Sequence, residues 1–359
     1  MHIPTQQGRK TKTISSLSLS LSLSLSNENQ IGMALDLDTE AAMNEGVCVT
    51  GAGGFIGSWL VNLLLSKDYS VHGTVRNPQD TKNAALYELP KASQNLKLFK
   101  ADVLDYHSLG PAIAGCHGVF HVASPIPSST IKDPQTEMFE PAVKGTLNVL
   151  KACAEAKVKR VVVVSSVAAV MMNPNWPKGQ VKDETCWSDK QYLKSSQTWY
   201  HLSKTEAESL ALEFGKTNGL DVVTVCPSLV LGPILQSTPT STAFLLLSLL
   251  NGEYKAYQLT HWLAVDVRDV AEALLMAYKK PEAEGRYICT AHSIWLDDLV
   301  DKLKNIYPDY NYPKHLSRGD GEEDKLSSEK LQRLGWSFRS LEETIVDAVE
   351  NYKKAGLLD

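Results

Sequence analysis

Short apolar segments alternate with segments of helical periodicity from residue 46 to about residue 226 of this 359-residue chain. The apolar, β-branched runs predict six β-strands, at residues 47–50, 69–75, 96–100, 119–122, 160–165 and 220–225. Apolar positions with helical spacing occur at residues 58–66, 136–156 and 204–214. Strands that alternate with helices predict an α/β fold with a doubly wound parallel sheet. The four consecutive valines of the fifth run suit a strand that is covered on both faces.

Residues 1–45 do not follow this alternation. Residues 15–26 alternate Ser and Leu, and no acidic residue occurs before Glu28. Three interpretations remain open. The first is a leader upstream of a start at Met33 or Met43, since an in-frame TC repeat encodes alternating Ser and Leu. The second is a disordered tail, and the third is an organelle transit peptide. We expect these residues to lie outside the folded domain.

A glycine-rich segment joins the first predicted strand to the first predicted helix. Residues 51–57 read GAGGFIG, and a second strand follows about 20 residues later. In this context Gly51 permits a tight turn, Gly54 lets the backbone approach a pyrophosphate, and Gly57 lets the helix pack closely on the strand. The helix N-terminus then faces the phosphates. The pattern predicts a Rossmann-type dinucleotide site.

The residue at the end of the second strand distinguishes between the two nicotinamide cofactors. Sites for NAD usually carry Asp or Glu there, which accepts hydrogen bonds from the ribose 2′-hydroxyl. This chain has Arg76, followed by Lys82. Cations at this position attract a 2′-phosphate, so we predict NADP(H) as the cofactor. The alternative is a solvated surface arginine.

The alternation loosens after Pro227, where shorter helices and loops are predicted. We therefore expect residues 46–226 to form the NADP-binding Rossmann core. Residues 227–359 are expected to form mainly a smaller substrate-binding lobe, with some strands and helices that return to the core.

Tyr200 and Lys204 are spaced to share one face of a helix. A phenol titrates near pH 10, and a neighbouring ammonium lowers its pKa. Tyr200 is then suited to donate a proton to a carbonyl oxygen while hydride reaches the carbon. Ser166, at the end of the fifth strand, is suited to hold the same oxygen. The alternative is a half-buried core tyrosine beside a surface lysine.

Several motifs resemble the extended short-chain dehydrogenase/reductase family, and within it plant dihydroflavonol reductase and cinnamoyl-CoA reductase relatives. These motifs are TGAGGFIG, VRNPQD, FHVASP, DETCWSD, TWYHLSK and CPSLVLGP. The resemblance covers roughly residues 46–357 and implies a catalytic triad of Ser166, Tyr200 and Lys204. It also implies NADPH contacts, at Gly51, Gly54, Phe55, Ile56, Gly57, Arg76, Lys82, Asp102, Val103, Val122, Ala123, Ser124, Tyr200, Lys204, Pro227, Ser228, Leu229, Val230 and Thr242.

The chain departs from cinnamoyl-CoA reductases around the tyrosine. Those enzymes resemble NWYCYGK, whereas this chain differs at Thr198, His201, Leu202 and Ser203. The sequence is more similar to cinnamoyl-CoA-reductase-like and phenylacetaldehyde reductase branches. The resemblance therefore implies an NADPH-dependent reductase of a small aromatic or phenylpropanoid-like aldehyde or ketone.

Three other functions remain as alternatives: a CoA-thioester reductase, a nucleotide-sugar epimerase or dehydratase, and a non-catalytic dinucleotide sensor. His201 is a possible second proton donor. Because it lies one position beyond Tyr200 and faces elsewhere on the helix, we expect it to pack instead.

Composition narrows the remaining classes. The net charge of −5 argues against a strongly basic nucleic-acid binder, and no apolar run reaches the roughly 18 residues of a membrane helix. The six cysteines form no CxxC pair, so we expect no metal site and buried thiols in a reducing compartment. We expect a cytoplasmic monomer or weak dimer whose partner is a small carbonyl substrate.

Overall fold

Seven parallel strands form the central sheet of the computed structural model, which describes residues 45–125, 132–254, 260–314, 316, 318 and 325–358. The strand order is β3-β2-β1-β4-β5-β6-β9, and all its neighbouring pairs are parallel. These strands are β1 (Gly46–Thr50), β2 (Ser70–Val75), β3 (Leu96–Lys100), β4 (Gly118–His121), β5 (Arg160–Val164), β6 (Asp221–Pro227) and β9 (Gly285–Cys289). The doubly wound α/β fold is confirmed. The Ser/Leu segment lies outside the described residues.

Twelve α-helices occur in the described part of the chain. They are α1 (Phe55–Ser66), α2 (Ala84–Tyr87), α3 (Ala92–Asn95), α4 (Tyr106–Ile113), α5 (Glu140–Glu155), α6 (Lys190–Ser195), α7 (Trp199–Asn218), α8 (Ser241–Leu250), α9 (Val267–Lys279), α10 (Leu296–Ile306), α11 (Glu329–Arg333) and α12 (Leu341–Lys354). A π-helical turn at Gln135–Phe139 leads into α5, so the predicted helix at residues 136–156 is divided near its start.

The two faces of the sheet are covered by different helices. Apolar side chains of α1 and α9, such as Leu64 and Leu274, pack with Val49 on one face. Side chains of α4, α5 and α7 pack with Cys48 on the other face, among them Leu150. Adjacent residues of β1 thus point to opposite cores, as expected for a strand that is buried on both faces.

The seventh strand was not among the six that the sequence pattern predicts. Residues 285–289 read GRYIC, and Arg286 interrupts the apolar run although only 6% of this residue is exposed. Strand prediction fails here because the pattern treats an arginine as a surface residue. In the structure the guanidinium is buried because it is paired, as described below.

A smaller sheet lies beyond residue 226. It consists of β7 (Leu229–Leu231), β8 (His261–Asp266) and β10 (His292–Trp295), in the order β10-β8-β7. Its apolar cluster includes Trp262 and Tyr352. Two hydrogen bonds tie it to its surroundings. The Trp59 indole of α1 donates to the Pro233 carbonyl at 2.7 Å, and the Tyr352 hydroxyl donates to the Gly232 carbonyl at 3.2 Å.

The first turn of α1 packs tightly against the end of β1. A Cβ atom placed on Gly57 would lie 2.3 Å from the Gly51 carbonyl oxygen and 3.0 Å from its carbonyl carbon. Both atoms belong to the backbone, so neither moves without distorting the turn. We predict that Gly57→Ala lowers the free energy of unfolding by about 1–3 kcal/mol, as overpacking does elsewhere.

Gly110→Ala is the matched control, since it is also helical and, apart from its chain neighbours and its own helix backbone, no atom lies within 4 Å of the added Cβ. Its stability should change by no more than about 1 kcal/mol, because the higher helix propensity of Ala opposes the crowding of its Cβ against Pro111. Denaturant unfolding of both variants makes the comparison. Equal stability of the two would contradict the close approach at Gly57.

Candidate active site

The predicted catalytic side chains converge at the carboxyl edge of the central sheet. Ser166 lies two residues beyond the end of β5, in extended backbone, and caps a short 3₁₀ turn at Val167–Ala169. Tyr200 and Lys204 occupy the first two turns of α7. This edge is where open α/β sheets bind their ligands, near the point at which strand order reverses between β1 and β4.

Lys204 is buried, with 7% of the residue exposed. Its ammonium donates to the Val164 carbonyl, the last of β5, at 3.4 Å. Burial lowers the pKa of Lys204 to about 8, while Glu208 one turn along the helix opposes that shift. The ammonium is therefore held at the strand end where Ser166 begins its turn.

The electrostatics of Tyr200 differ from the expectation. We predicted that Lys204 would lower the pKa of the phenol, but burial raises that pKa above its usual value, and hydrogen bonding with Ser166 only partly opposes this. The reason is geometric, because the Lys204 ammonium is turned toward the Val164 carbonyl. A raised pKa keeps the phenol protonated at neutral pH, which is the form that donates a proton.

The glycine-rich turn has the shape of a dinucleotide cradle. Gly51 has a φ of +68°, and a Cβ there would lie 3.0 Å from the backbone of Ala123. Gly54 is the N-cap of α1, whose first turn carries no acidic residue. First-turn N–H groups lack intrahelical acceptors, so this helix start suits a phosphate. The residues present therefore fit a dinucleotide.

The two predicted 2′-phosphate ligands differ in their surroundings. Arg76 follows β2 directly and is exposed. The Lys82 ammonium instead forms an ion pair with Asp80 at 3.0 Å. Because Asp80 already neutralises Lys82, Arg76 is the cation better disposed toward an added phosphate.

The other predicted cofactor contacts lie around the same edge. Val122–Ser124 follow β4, Asp102 and Val103 follow β3, and Pro227–Val230 run from β6 into β7. Among the polar atoms that the structure describes, the buried Ser228 hydroxyl has no hydrogen-bond partner. Thr242 lies further on, in the first turn of α8, with its hydroxyl 3.0 Å from that of Thr240.

A buried polar chain that sequence reasoning missed joins the ends of β1 and β4. The Thr50 hydroxyl accepts the N–H groups of residues 122 and 123, each at 3.1 Å. The Thr50 hydroxyl therefore donates its own hydrogen to His121 Nδ1, and the oxygen and the nitrogen are 2.9 Å apart. His121 Nε2 then donates to Thr146 at 3.1 Å. Burial lowers the pKa of His121 to about 3, so the imidazole is neutral. The only sequence signal is the His in FHVASP.

His201 packs as expected. Its ring meets that of Tyr200 edge-on, with centroids 5.9 Å apart, and burial lowers its pKa. In the described part of the chain, its Nδ1 is buried without a hydrogen-bond partner.

The described residues offer neither a metal site nor a membrane span. They contain no group of His, Cys, Asp and Glu side chains that would hold a metal ion. No helix among them combines the length and apolar character needed to span a membrane. All six cysteines are buried free thiols, as predicted.

Known proteins match the region that forms this site. A model of the NAD dependent epimerase/dehydratase family matches residues 47–289. Cinnamoyl-CoA reductase 1 from Petunia hybrida is 46% identical over 315 residues, which cover 87% of this chain and 93% of that relative. Vestitone reductase from alfalfa (Medicago sativa) has a TM-score of 0.75 at 34% identity, covering 87% of this chain and 99% of its own. Yeast methylglyoxal/isovaleraldehyde reductase, solved with NADPH, has a TM-score of 0.76 at 29% identity, covering 87% and 100%.

The proposed contacts of Arg76 and Lys82 with the 2′-phosphate can be tested by measuring cofactor affinity. We predict that Arg76→Ala weakens NADPH binding about 10–100-fold, the usual effect of losing a hydrogen bond to a charged group. Binding of NADH, which lacks the 2′-phosphate, should change less than about twofold. Lys82→Ala is the matched control and should cost less, because Lys82 is already paired with Asp80. Fluorescence titration measures all these affinities. Equal losses for the two cofactors in Arg76→Ala would refute the assignment.

Proposed function

Because the chain belongs to the NAD dependent epimerase/dehydratase family, we propose that it is an NADPH-dependent reductase of small aldehydes or ketones. Its cofactor is NADP(H), and it is an oxidoreductase that acts on carbonyl groups. The observation that supports this reaction most directly is the convergence of Ser166, Tyr200 and Lys204 at the sheet edge, beside the glycine-rich turn. Tyr200 remains protonated there, as a proton donor must.

NADPH, when bound, supplies a hydride to the carbonyl carbon. Negative charge then develops on the carbonyl oxygen, and the Tyr200 hydroxyl donates its proton to that oxygen. The Ser166 hydroxyl donates a hydrogen bond to the same oxygen and stabilises the developing charge. Lys204 lies one turn along α7 from Tyr200, and its ammonium, held on the Val164 carbonyl, supplies positive charge at the same sheet edge. The product is an alcohol.

For the cofactor we propose a site at the glycine-rich turn, with residues 51–57 around the pyrophosphate and Arg76 at the 2′-phosphate. Residues 46–226 then bind the cofactor, and residues 227–359 bind mainly substrate. The Ser228 hydroxyl, buried and unpaired within the described residues, supports a polar ligand contact at this edge. Six buried thiols fit a reducing compartment, so we also propose a cytoplasmic enzyme that is a monomer or weak dimer.

The substrate class is narrowed by the residues around Tyr200. Leu202 and Ser203, two of the departures from the cinnamoyl-CoA reductase pattern, are buried in the fold. Thr198 and His201, the other two departures, are partly exposed. These departures support free aromatic aldehydes or ketones over CoA thioesters. Thioester reduction is the second candidate, because the Petunia cinnamoyl-CoA reductase is 46% identical.

Tyr200→Phe tests the chemical step. The change keeps the ring and removes only the acidic hydrogen, so NADPH affinity should be retained while kcat falls roughly 10²–10⁴-fold, the usual contribution of a general acid. Tyr192→Phe is the matched control, since that tyrosine is exposed on the preceding helix. We expect its kcat to equal that of the wild type.

The same assay compares kcat/KM for an aromatic aldehyde with that for its matching CoA thioester, and the aldehyde should have the higher value. Undiminished turnover in Tyr200→Phe would overturn the mechanism. A clear preference for the thioester would overturn only the substrate assignment.

A further inference from the structure

We infer that Glu208 is a positioning residue for this reaction: its buried carboxylate holds the strand ends against α7 and compensates the charge of Lys204. The inference rests on the proposed function, since it names the group that arranges the same site. Glu208 lies one helical turn beyond Lys204 and is 1% exposed.

Three strands donate hydrogen bonds to this one carboxylate. Ser165, the neighbour of Ser166, donates to Oε2 at 2.7 Å. From β6, the Thr224 hydroxyl and the Cys226 thiol donate to Oε1 at 2.7 and 3.2 Å. From β9, the Arg286 guanidinium donates to Oε1 at 2.8 Å and to Oε2 at 3.2 Å. The carboxylate therefore ties α7 to the residue after β5, to the second half of β6 and to the start of β9.

Arg286 extends this arrangement to the loop that follows Ser166. Its remaining N–H groups donate to the carbonyls of Ala169, Glu184 and Cys186. Its guanidinium also stacks on the Trp187 ring at 3.5 Å. A buried carboxylate with these partners is well satisfied, whereas the removal of one partner leaves an uncompensated charge.

The groups around Lys204 come from several elements. His121 of β4 is a neutral imidazole, and burial raises the pKa of the Cys226 thiol, which is therefore uncharged. Tyr200 on α7 is protonated, and Arg286 of β9 is a cation. Lys204 and Glu208 line one small cavity together with His121, and Glu208 is the one carboxylate among the described residues that line it.

The direction of the pH effect follows from these charges. Burial already lowers the pKa of Lys204 to about 8, and negative charge at Cys226 or at Glu208 opposes that shift. Because burial keeps the Cys226 thiol uncharged, the opposing charge is that of Glu208. Loss of the carboxylate charge lowers the pKa of Lys204 further. An enzyme that needs the ammonium then loses activity at a lower pH.

The experiment is the pH profile of kcat for the full-length enzyme with NADPH and an aromatic aldehyde. We expect wild-type activity to fall with an alkaline midpoint near 8. In Glu208→Gln the midpoint should move down by roughly one pH unit, the smaller end of the usual effect of an opposite charge. A merely structural role would lower kcat equally at every pH and leave the midpoint in place. Such a result would overturn the inference.

Glu206→Gln is the matched control. It removes a carboxylate from the same helix, but that carboxylate pairs with Lys190 at 2.7 Å and is partly exposed. Its midpoint should equal that of the wild type, and an equal shift in both variants would contradict a specific role for Glu208. Glu208→Asp keeps the negative charge on a side chain that is one methylene shorter. The alkaline midpoint of its kcat should therefore lie closer to the wild-type value than that of Glu208→Gln.

Two further results separate the possible failures. The ¹⁵N NMR titration of the Lys204 ammonium, assigned with Lys204→Arg, measures the same shift without turnover. If the wild type reduces no carbonyl compound, the proposed function fails while this titration still decides the role of Glu208. If Glu208→Gln does not fold, Glu208→Asp decides, because its shorter carboxylate cannot reach all its donors. Its kcat should fall at least about tenfold and its alkaline midpoint should lie below that of the wild type, and an unchanged midpoint would overturn the inference.

Discussion

Burial of the Lys204 ammonium costs free energy, and the carboxyl edge of the sheet is arranged to offset that cost. The last carbonyl of β5 accepts a hydrogen bond from the ammonium, and Glu208 adds negative charge one turn along the same helix. The Glu208 carboxylate also accepts hydrogen bonds from Ser165, β6 and β9. The group that compensates the charge of Lys204 therefore also fixes the positions of these three segments. The helix that carries Tyr200 is thereby held against the segment that carries Ser166, two residues beyond β5.

A second buried polar chain lies beside the glycine-rich turn, at the proposed cofactor site. Thr50 and His121 hold the end of β4 against the turn that begins at Gly51. The Trp59 indole connects the helix after that turn to the small C-terminal sheet. The end of β4, the strand before the glycine-rich turn, and the residues after β7 are thus connected to their neighbours by directional hydrogen bonds as well as by apolar packing.

The parts of the fold that depend on apolar periodicity were predictable from the sequence. The first strand, the glycine-rich turn, α1 and the valine strand combine local signals that agree with one another. The features that the sequence did not predict are buried charges and buried polar groups. Arg286 interrupts the apolar pattern of β9, so that strand is not predicted. A glutamate on a helix, such as Glu208, is expected at the surface when its buried partners are not known. Likewise, neither the ion pair of Lys82 nor the direction of the Lys204 ammonium follows from spacing along the chain.

A reductase of this kind transfers a hydride from the nicotinamide to a carbonyl carbon and does not return it. The most direct measurement uses NADPH with deuterium at the transferable position, an aromatic aldehyde, and mass spectrometry of the product. We predict an alcohol with a single deuterium on the carbinol carbon and stoichiometric oxidation of the cofactor. An alcohol without deuterium, or an isomerised product formed while the cofactor remains reduced, would contradict the assignment.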